Sequence, residues 1–533
     1  MEEKLDLISI KEAARVASLF TGKSVTTSNI SYLINYALIK KYILDNSVLI
    51  DKEELYKYYE KGNLKNKYME KDKTINWKLA FSEFKESETT KHVHRLHPYK
   101  GKFIPQLVEY FLNTEKDEFK KEVFFNAGEI ILDPFCGSGT TLVQANELGI
   151  NAIGIDISEF NSIISNVKIG KFNLDILKKI GKKIELKLKK YISENNISEF
   201  EKELTEKISE INNKYFPSPE FKRKAKNKEL NDKEYSKEYV KIADVIYNDL
   251  LVKYKIENKI DAESNNFLEK WILNNSRNEI KIILNEIEQL EESQEKDLLK
   301  VILTRTIRSG RATTHSDLAT LTEPVIQPYY CTKHYKICKP LFSIVKWWKR
   351  YFKDTIKRLE EFEKLKTDTE QLCLCGDSRN INILEKVKEK NENFYKMIVR
   401  NKISGIFSSP PYVGLIDYHE QHAYAYDLLK IKRKDEDEIG ALYRGKGKSA
   451  QESYIIGISD VLKNSKKYLK ENYNIFLVAN DKYNLYPKIA ELSGMKIVNE
   501  YKRPVLNRTE KDGNLYSEII FHLKENKEEF DER

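Results

Sequence analysis

The stretch Ile130-Ile131-Leu132-Asp133-Pro134-Phe135-Cys136-Gly137-Ser138-Gly139-Thr140-Thr141 restricts the fold more than any other in this 533-residue chain. Ile130 to Leu132 is a short apolar run that suits a central parallel strand covered on both faces. Gly137 and Gly139 let the backbone pass close to a ligand where a Cβ would clash, and Thr140 and Thr141 open a helix expected to reach about Leu148. A second apolar strand, Ala152 to Ile155, ends in Asp156, an acid placed to take the two hydroxyls of a ribose. Strand, glycine turn, helix, strand and acid together specify a nucleoside-binding α/β sheet. The third glycine of the dinucleotide fingerprint is missing, so the glycines alone do not name the nucleoside.

Further residues narrow the choice. The full string Asp133-Pro134-Phe135-x-Gly137-Ser138-Gly139-Thr140-Thr141 resembles the S-adenosylmethionine motif of DNA amino-methyltransferases. Those enzymes methylate the exocyclic nitrogen of cytosine or adenine. Ser409-Pro410-Pro411-Tyr412, after the apolar Gly405-Ile406-Phe407-Ser408, resembles their catalytic motif. The resemblance implies a Rossmann-like methyltransferase sheet of the α/β class with a terminal antiparallel hairpin, S-adenosyl-L-methionine as cofactor and double-stranded DNA as substrate. Residue by residue it implies cofactor contacts from Asp133, Phe135, Gly137, Gly139, Thr140, Thr141 and Asp156. It adds Asp377, in Cys375-Gly376-Asp377-Ser378, as the acid that reaches the adenine amino group. The segment Thr90 to Pro105 resembles the part of these enzymes that closes over the methionine end, with Lys102, Phe103 and Pro105 as contacts; a plain helix entry at Pro105 is the alternative.

Ser409, Pro410, Pro411 and Tyr412 suit the chemistry. An exocyclic amino group has its lone pair delocalised into the base and is unreachable inside a duplex, so the base must be flipped out. The Ser409 oxygen and the Pro410 carbonyl can accept the two amino hydrogens, the prolines stiffen the loop, and Tyr412 can stack on the flipped ring. Serine in the first position resembles the cytosine N4 group more than the adenine N6 group. Cytosine N4 is therefore the expected target, with adenine N6 as the alternative. RNA methylation, which usually places an acid ahead of the prolines, and a catalytically dead DNA-binding regulator are weaker readings. The order of motifs resembles one permutation class of the family, although the long insertion falls before Asp377, where that class usually places it later. Membership implies the modification half of a restriction-modification pair, with the endonuclease on a separate chain.

Around these motifs the chain divides into five parts. Residues 1–60 read as helix, turn, helix, hairpin, helix, which resembles a winged helix-turn-helix; a helical docking domain is the alternative. Ser9 and Glu12 have capping-box spacing, and Asp45-Asn46 sits between two apolar runs as a hairpin turn would. Residues 61–89 are a linker and 90–170 the first part of the methyltransferase domain. Residues 171–369 are too long for a loop and carry helical periodicity over Leu174–Tyr191, Glu199–Tyr215 and Phe267–Leu290, so they form a largely helical insertion, a candidate for target recognition. Residues 370–533 complete the sheet, with Asp512-Gly513 as the turn of a final hairpin.

Arg305, Arg308 and Arg311, with Arg444 and Lys446 in the basic loop Tyr443 to Lys448, are the candidate DNA contacts. Trp347, Trp348 and Tyr351 read as helical core instead. The formal charge of +9 favours a polyanionic partner only weakly, because lysine is abundant throughout. No secretory signal is visible, no apolar run approaches the roughly 18 residues of a membrane span, and a cytoplasmic setting with reduced thiols follows. Cys331, His334, Cys338, Cys373 and Cys375 match no common pair of zinc ligand pairs, and Pro98 keeps His92, His94 and His97 off one helix face. No metal is expected.

Overall fold

The structure is a computed structural model and describes residues 5–22, 24–45, 47–61, 74–315, 321–505 and 517–526. It opens with β1 (Leu7–Ser9), α1 (Ile10–Thr21), α2 (Thr27–Asn35), β2 (Tyr42–Leu44), β3 (Ser47–Asp51) and α3 (Lys52–Lys61). The three strands pair antiparallel in the order β1-β3-β2. Ser9 caps α1 by accepting the Glu12 N–H at 3.1 Å, but the Glu12 carboxylate turns to Arg15, so the expected capping box is half made. Thr26 and Asn29 make the complete box at α2. Ala13, Ala17, Ile30, Leu33, Ile50 and Leu55 form the small core beneath these elements. Residues 62–73 of the linker and the Asp512-Gly513 turn lie outside the described residues.

The chain continues with α4 (Pro105–Leu112), β4 (Ile130–Asp133), α5 (Thr140–Glu147), β5 (Asn151–Asp156) and α6 (Glu159–Ile169). Helices over Leu174–Glu194, Ile197–Tyr215 and Asp232–Tyr254 follow. The expected single helix over Phe267–Leu290 is two, Phe267–Trp271 and Asn274–Glu288, separated by the buried, extended Ile272 and Leu273. After the helix Gln294–Ser309 comes a small antiparallel hairpin, β6 (Tyr329–Cys331) and β7 (Lys336–Cys338), and then the helix Val345–Glu363. The remaining strands are β8 (Gln371–Cys375), β9 (Ile403–Ser408), β10 (Leu469–Ala479), β11 (Met495–Pro504) and β12 (Ser517–Glu525).

By its internal contacts the chain forms two compact units. The first comprises Met1–Lys71, Leu186–Lys281 and Ser309–Val345; the second comprises Asp72–Glu185, Ile282–Arg308 and Lys346–Arg533. The stretch 171–369 is thus divided between the two. Within the first unit Phe200, Leu204, Tyr247 and Phe342 centre the helical core. Lys222 there lies over the Tyr36 ring at 3.9 Å.

The second unit holds a seven-stranded sheet in the order β11-β12-β10-β9-β4-β5-β8. Strands β8, β5, β4, β9 and β10 are parallel, and β12 and β11 add an antiparallel edge. All of β4, β5 and β9 is buried, as their unbroken apolar runs require. Alternation sorts the side chains: Ile130, Leu132, Ile153 and Ile155 join one core with Phe394, Ile458 and Leu462, while Ile131 and Ala152 join the other with Phe111 and Leu142. Strand order reverses beside β4, whose neighbours are β5 and β9. Ligands of open α/β sheets bind at the carboxyl ends of strands beside such a reversal.

Candidate active site

A cleft lies at that reversal, lined by the loops after β4, β5, β8 and β9. The loop after β4 forms its floor. Gly137 and Gly139 both take left-handed φ, +51° and +74°, and a Cβ on Gly137 would stand 2.9 Å from the Tyr99 hydroxyl. One on Gly139 would meet Ser165, so this glycine packs the loop onto α6 rather than onto a ligand. Phe135, Gly137 and Thr140 line the cleft; Asp133, Gly139 and Thr141 lie behind it.

Asp133 has another use. Its Oδ1 accepts the Ser408 hydroxyl at 2.6 Å, joining the end of β4 to the end of β9, which delivers Ser409. Burial pushes its carboxyl up to about 6, and the Ser408 and Phe135 hydrogen bonds hold it from rising further. The two sequence motifs are thus fixed to each other by a buried side-chain bond.

Asp156, at the end of β5, lines the cleft but is already committed to the protein. Oδ2 accepts the Gly137 N–H at 2.8 Å, and Oδ1 accepts from Ser158 N–H at 2.9 Å and Asn161 Nδ2 at 3.1 Å. A carboxylate has about four acceptor positions, so roughly one remains for a ligand rather than the two that a bidentate ribose grip needs. Burial raises this carboxyl to about 6 as well. Ser158 and Asn161 join the cleft wall, so the second ribose hydroxyl has partners there.

Asp377 lines the cleft with both oxygens held by the Arg379 fork at 2.7 to 3.0 Å. Next to it the Ser378 hydroxyl donates to the Pro134 carbonyl at 2.6 Å, tying the β8 loop to the β4 loop. On the β9 side Ser409 and Pro411 face the cleft, and the Ser409 hydroxyl donates to the Val478 carbonyl at 3.2 Å. With its proton so directed, the serine oxygen offers lone pairs to whatever enters. Pro410 is buried. The Tyr412 hydroxyl donates to Glu518 at 2.8 Å.

Lys102 and Phe103 line the cleft as expected; Pro105 does not, and is the buried first residue of α4. The Lys102 ammonium donates to the His94 carbonyl at 2.6 Å, and burial pushes it down to about 8. Two of the three histidines come together: His92 Nε2 stands 2.9 Å and His94 Nε2 3.9 Å from the same Glu147 oxygen, whereas His97 lies apart, among Phe160, His422 and Tyr424. Tyr99, Tyr418 and Glu438 complete the wall, and none of them stood out in the sequence. Tyr99 stacks on Tyr418 at 5.9 Å, and burial raises Glu438 to about 7. Ser158 continues inward through Tyr426, 2.6 Å away, to His419.

The basic cluster requires correction. Arg305 is only 8 % exposed, pairs with Asp354 at 2.8 Å and lies over the Tyr351 ring at 4.2 Å, so it packs a helix interface. Arg311 is buried too. Burial and then the charge of half-buried Arg308 push His422 down to about 3. Of the five candidates only Arg444 and Lys446 are exposed. Of the aromatics read as core, Trp348 is buried, while Trp347 and Tyr351 are half-buried and stack on each other at 5.4 Å.

The family model for the DNA methylases of N6/N4 type matches residues 25–166. Over 524 residues, 97 % of each chain, the protein is 48 % identical to the Type II methyltransferase M.MjaII of Methanocaldococcus jannaschii. The chain belongs to the N6/N4 DNA methylase family. The Type II methyltransferase M.BsoBI of Geobacillus stearothermophilus is 25 % identical over 463 residues, covering 85 % of this chain and 72 % of that one. M.MvaI of Kocuria varians, another Type II methyltransferase, is 33 % identical over 99 residues, covering 18 % of this chain and 20 % of that one. Members of the family take their methyl group from S-adenosyl-L-methionine, the cofactor of this protein. The cleft suits that molecule: an acid with an open acceptor position for a ribose, apolar flanks at Phe135 and Ile157, and a glycine floor that admits no Cβ. Among the described residues no helix is long and apolar enough to cross a membrane.

Proposed function

We propose that the protein methylates the exocyclic N4 of cytosine in double-stranded DNA as the modification enzyme of a restriction-modification system, acting on a base flipped out of the helix. The observation that carries the reading is Ser409 at the carboxyl end of β9, facing the cofactor cleft with its proton donated to Val478. Two acceptors, the serine oxygen and the Pro410 carbonyl, would then draw the amino hydrogens toward the protein and free the nitrogen lone pair. When bound, the cofactor supplies an electrophilic methyl on a sulfonium. Its adenosine would rest against Phe135, Ile157, Asp156 and Asp377, and its methionine end against Lys102 and Tyr99. Tyr412, anchored by Glu518, would flank the flipped ring. No strong base is needed, because the transferred group leaves a cationic amine that loses its proton to water.

The basic loop around Arg444 and Lys446 fits phosphate contact, and the first sixty residues fit a winged helix-turn-helix that reads duplex DNA. The names of the relatives, all Type II methyltransferases, support the modification role. Nucleoside analysis of genomic DNA from cells expressing the chain tests the base assignment. N4-methylcytosine is the expected product; N6-methyladenine alone would overturn the serine argument while leaving the enzyme in place.

A further inference from the structure

The first unit carries a side-chain cluster that methyl transfer does not use. His315, Cys331, His334 and Cys338 bring one potential ligand atom each to within 4.8 Å of all the others. Cys331 Sγ lies 3.9 Å from His315 Nδ1, and Cys338 Sγ lies 3.8 Å from His334 Nδ1. Around a tetrahedral zinc, bonds of about 2.3 Å to sulfur and 2.0 Å to nitrogen put neighbouring ligand atoms roughly 3.5 Å apart. The cluster is therefore a cage only slightly wider than a loaded one. Both cysteines are free thiols and buried, so no disulfide explains their approach.

The backbone presents the four donors. Cys331 ends β6 and Cys338 ends β7, and His334 sits in the turn between them. That turn is tight: the Cys331 carbonyl accepts the N–H of both His334 (3.1 Å) and Tyr335 (2.6 Å), with Tyr335 at φ +54°. Asn212 clamps the hairpin from the helix Ile197–Tyr215, donating to the Ile337 carbonyl and accepting its N–H, both at 2.9 Å. His315 arrives from a separate segment, held by Ala312, whose N–H donates to Trp271. The Tyr329 hydroxyl stands 2.8 Å from His315 Nδ1, the nitrogen 3.9 Å from Cys331 Sγ, and an ion bound to that nitrogen would replace this hydrogen bond.

We propose that His315, Cys331, His334 and Cys338 hold a structural zinc ion. Two thiolates and two imidazoles are the donor set that selects zinc over magnesium or calcium, and four protein ligands leave no open position for catalysis. The ion would tie the segment after Ser309 to the β6–β7 hairpin. The sequence reading that expects no metal grouped Cys331, His334 and Cys338 with Cys373 and Cys375 rather than with His315. Cys373 and Cys375 belong to β8, in the other unit. The missing ligand, His315, lies far upstream of the hairpin.

The test is metal analysis of the purified full-length chain by mass spectrometry, with cobalt exchanged for zinc as an optical probe. The expected result is about one zinc per chain and, with cobalt, the intense thiolate-to-cobalt absorption of a tetrahedral site. Cys331→Ser combined with Cys338→Ser should lose both signals. His334→Cys keeps a competent ligand set, so it should retain the metal and shows whether the double variant fails by ligation or by misfolding. Wild-type protein that is metal-free and gives no charge-transfer band with added cobalt overturns the proposal. So does a double variant that keeps a full equivalent of zinc.

Discussion

Gly137→Ala tests the floor of the cleft. Left-handed φ at this position costs a residue with a Cβ about 1–2 kcal/mol. The new methyl would meet the Tyr99 ring at 2.9 Å (hydroxyl), 3.1 Å (Cζ) and 3.2 Å (Cε1), well inside the roughly 3.5–4.0 Å of a favourable carbon contact. Tyr99 is half-buried and stacked on Tyr418 in the wall of the cleft, so the clash shifts a side chain that lines the site. The strain term weakens folding, and the ring displacement weakens cofactor binding. A loss of about 1.4 kcal/mol of cofactor contact would raise Kd about tenfold. Calorimetric titration of S-adenosyl-L-methionine into the full chain reads the second term, with circular dichroism confirming that the variant is folded. Tyr99→Phe removes the closest clashing atom. The double variant should therefore recover part of the affinity, a coupling above about 0.5 kcal/mol. Unchanged cofactor affinity in Gly137→Ala, or an equal loss in the Tyr99→Phe background, would refute the steric argument.

Three further outcomes follow from the geometry. Ser409→Ala should leave cofactor Kd within about twofold but lower kcat by about 10²–10³, the usual cost of removing one oriented polar group, in a single-turnover methylation assay. Cofactor affinity should fall roughly tenfold per unit as pH drops below about 6, because Asp156, raised to about 6 by burial, accepts a ribose hydroxyl only as the carboxylate. The sign separates this from acid unfolding: a carboxyl whose folded pKa lies above its unfolded value disfavours folding at high pH and relieves that penalty as pH falls, so binding is lost while this group stabilises the fold. Arg305→Ala should cost about 1–2 kcal/mol in denaturant melts, because partly buried Asp354 loses one charged hydrogen bond and keeps only Arg358 at 2.9 Å, whereas Lys446→Ala should leave stability unchanged and reduce the salt slope of DNA binding by about one.

The elements legible in the sequence are those whose local pattern and tertiary use agree. Ile130–Leu132 and Ala152–Ile155 are apolar runs because helices cover both faces of the sheet, and the left-handed glycines between them admit little else. The Ser409 loop was legible for the same reason: two prolines after a buried strand leave few conformations. Tyr99, Tyr418 and Glu438 escaped because they lie on short turns with no period to read, and only the packing of distant segments brings them to one wall. Arg305 misled for the opposite reason. A run of arginines looks basic in sequence, but its helix turns Arg305 inward, onto Asp354 and Tyr351. Asp133 was read as a cofactor contact, and the contact it makes, with Ser408, spans residues far apart in the chain.

The most direct test of the account is transfer of a labelled methyl group from S-adenosyl-L-methionine to mixed-sequence duplex DNA by the purified full chain, with an equal mass of RNA offered in a parallel reaction. Label in DNA with wild-type protein, sharply reduced in Ser409→Ala of unchanged cofactor affinity, is the predicted result. Label in RNA and none in DNA would contradict it.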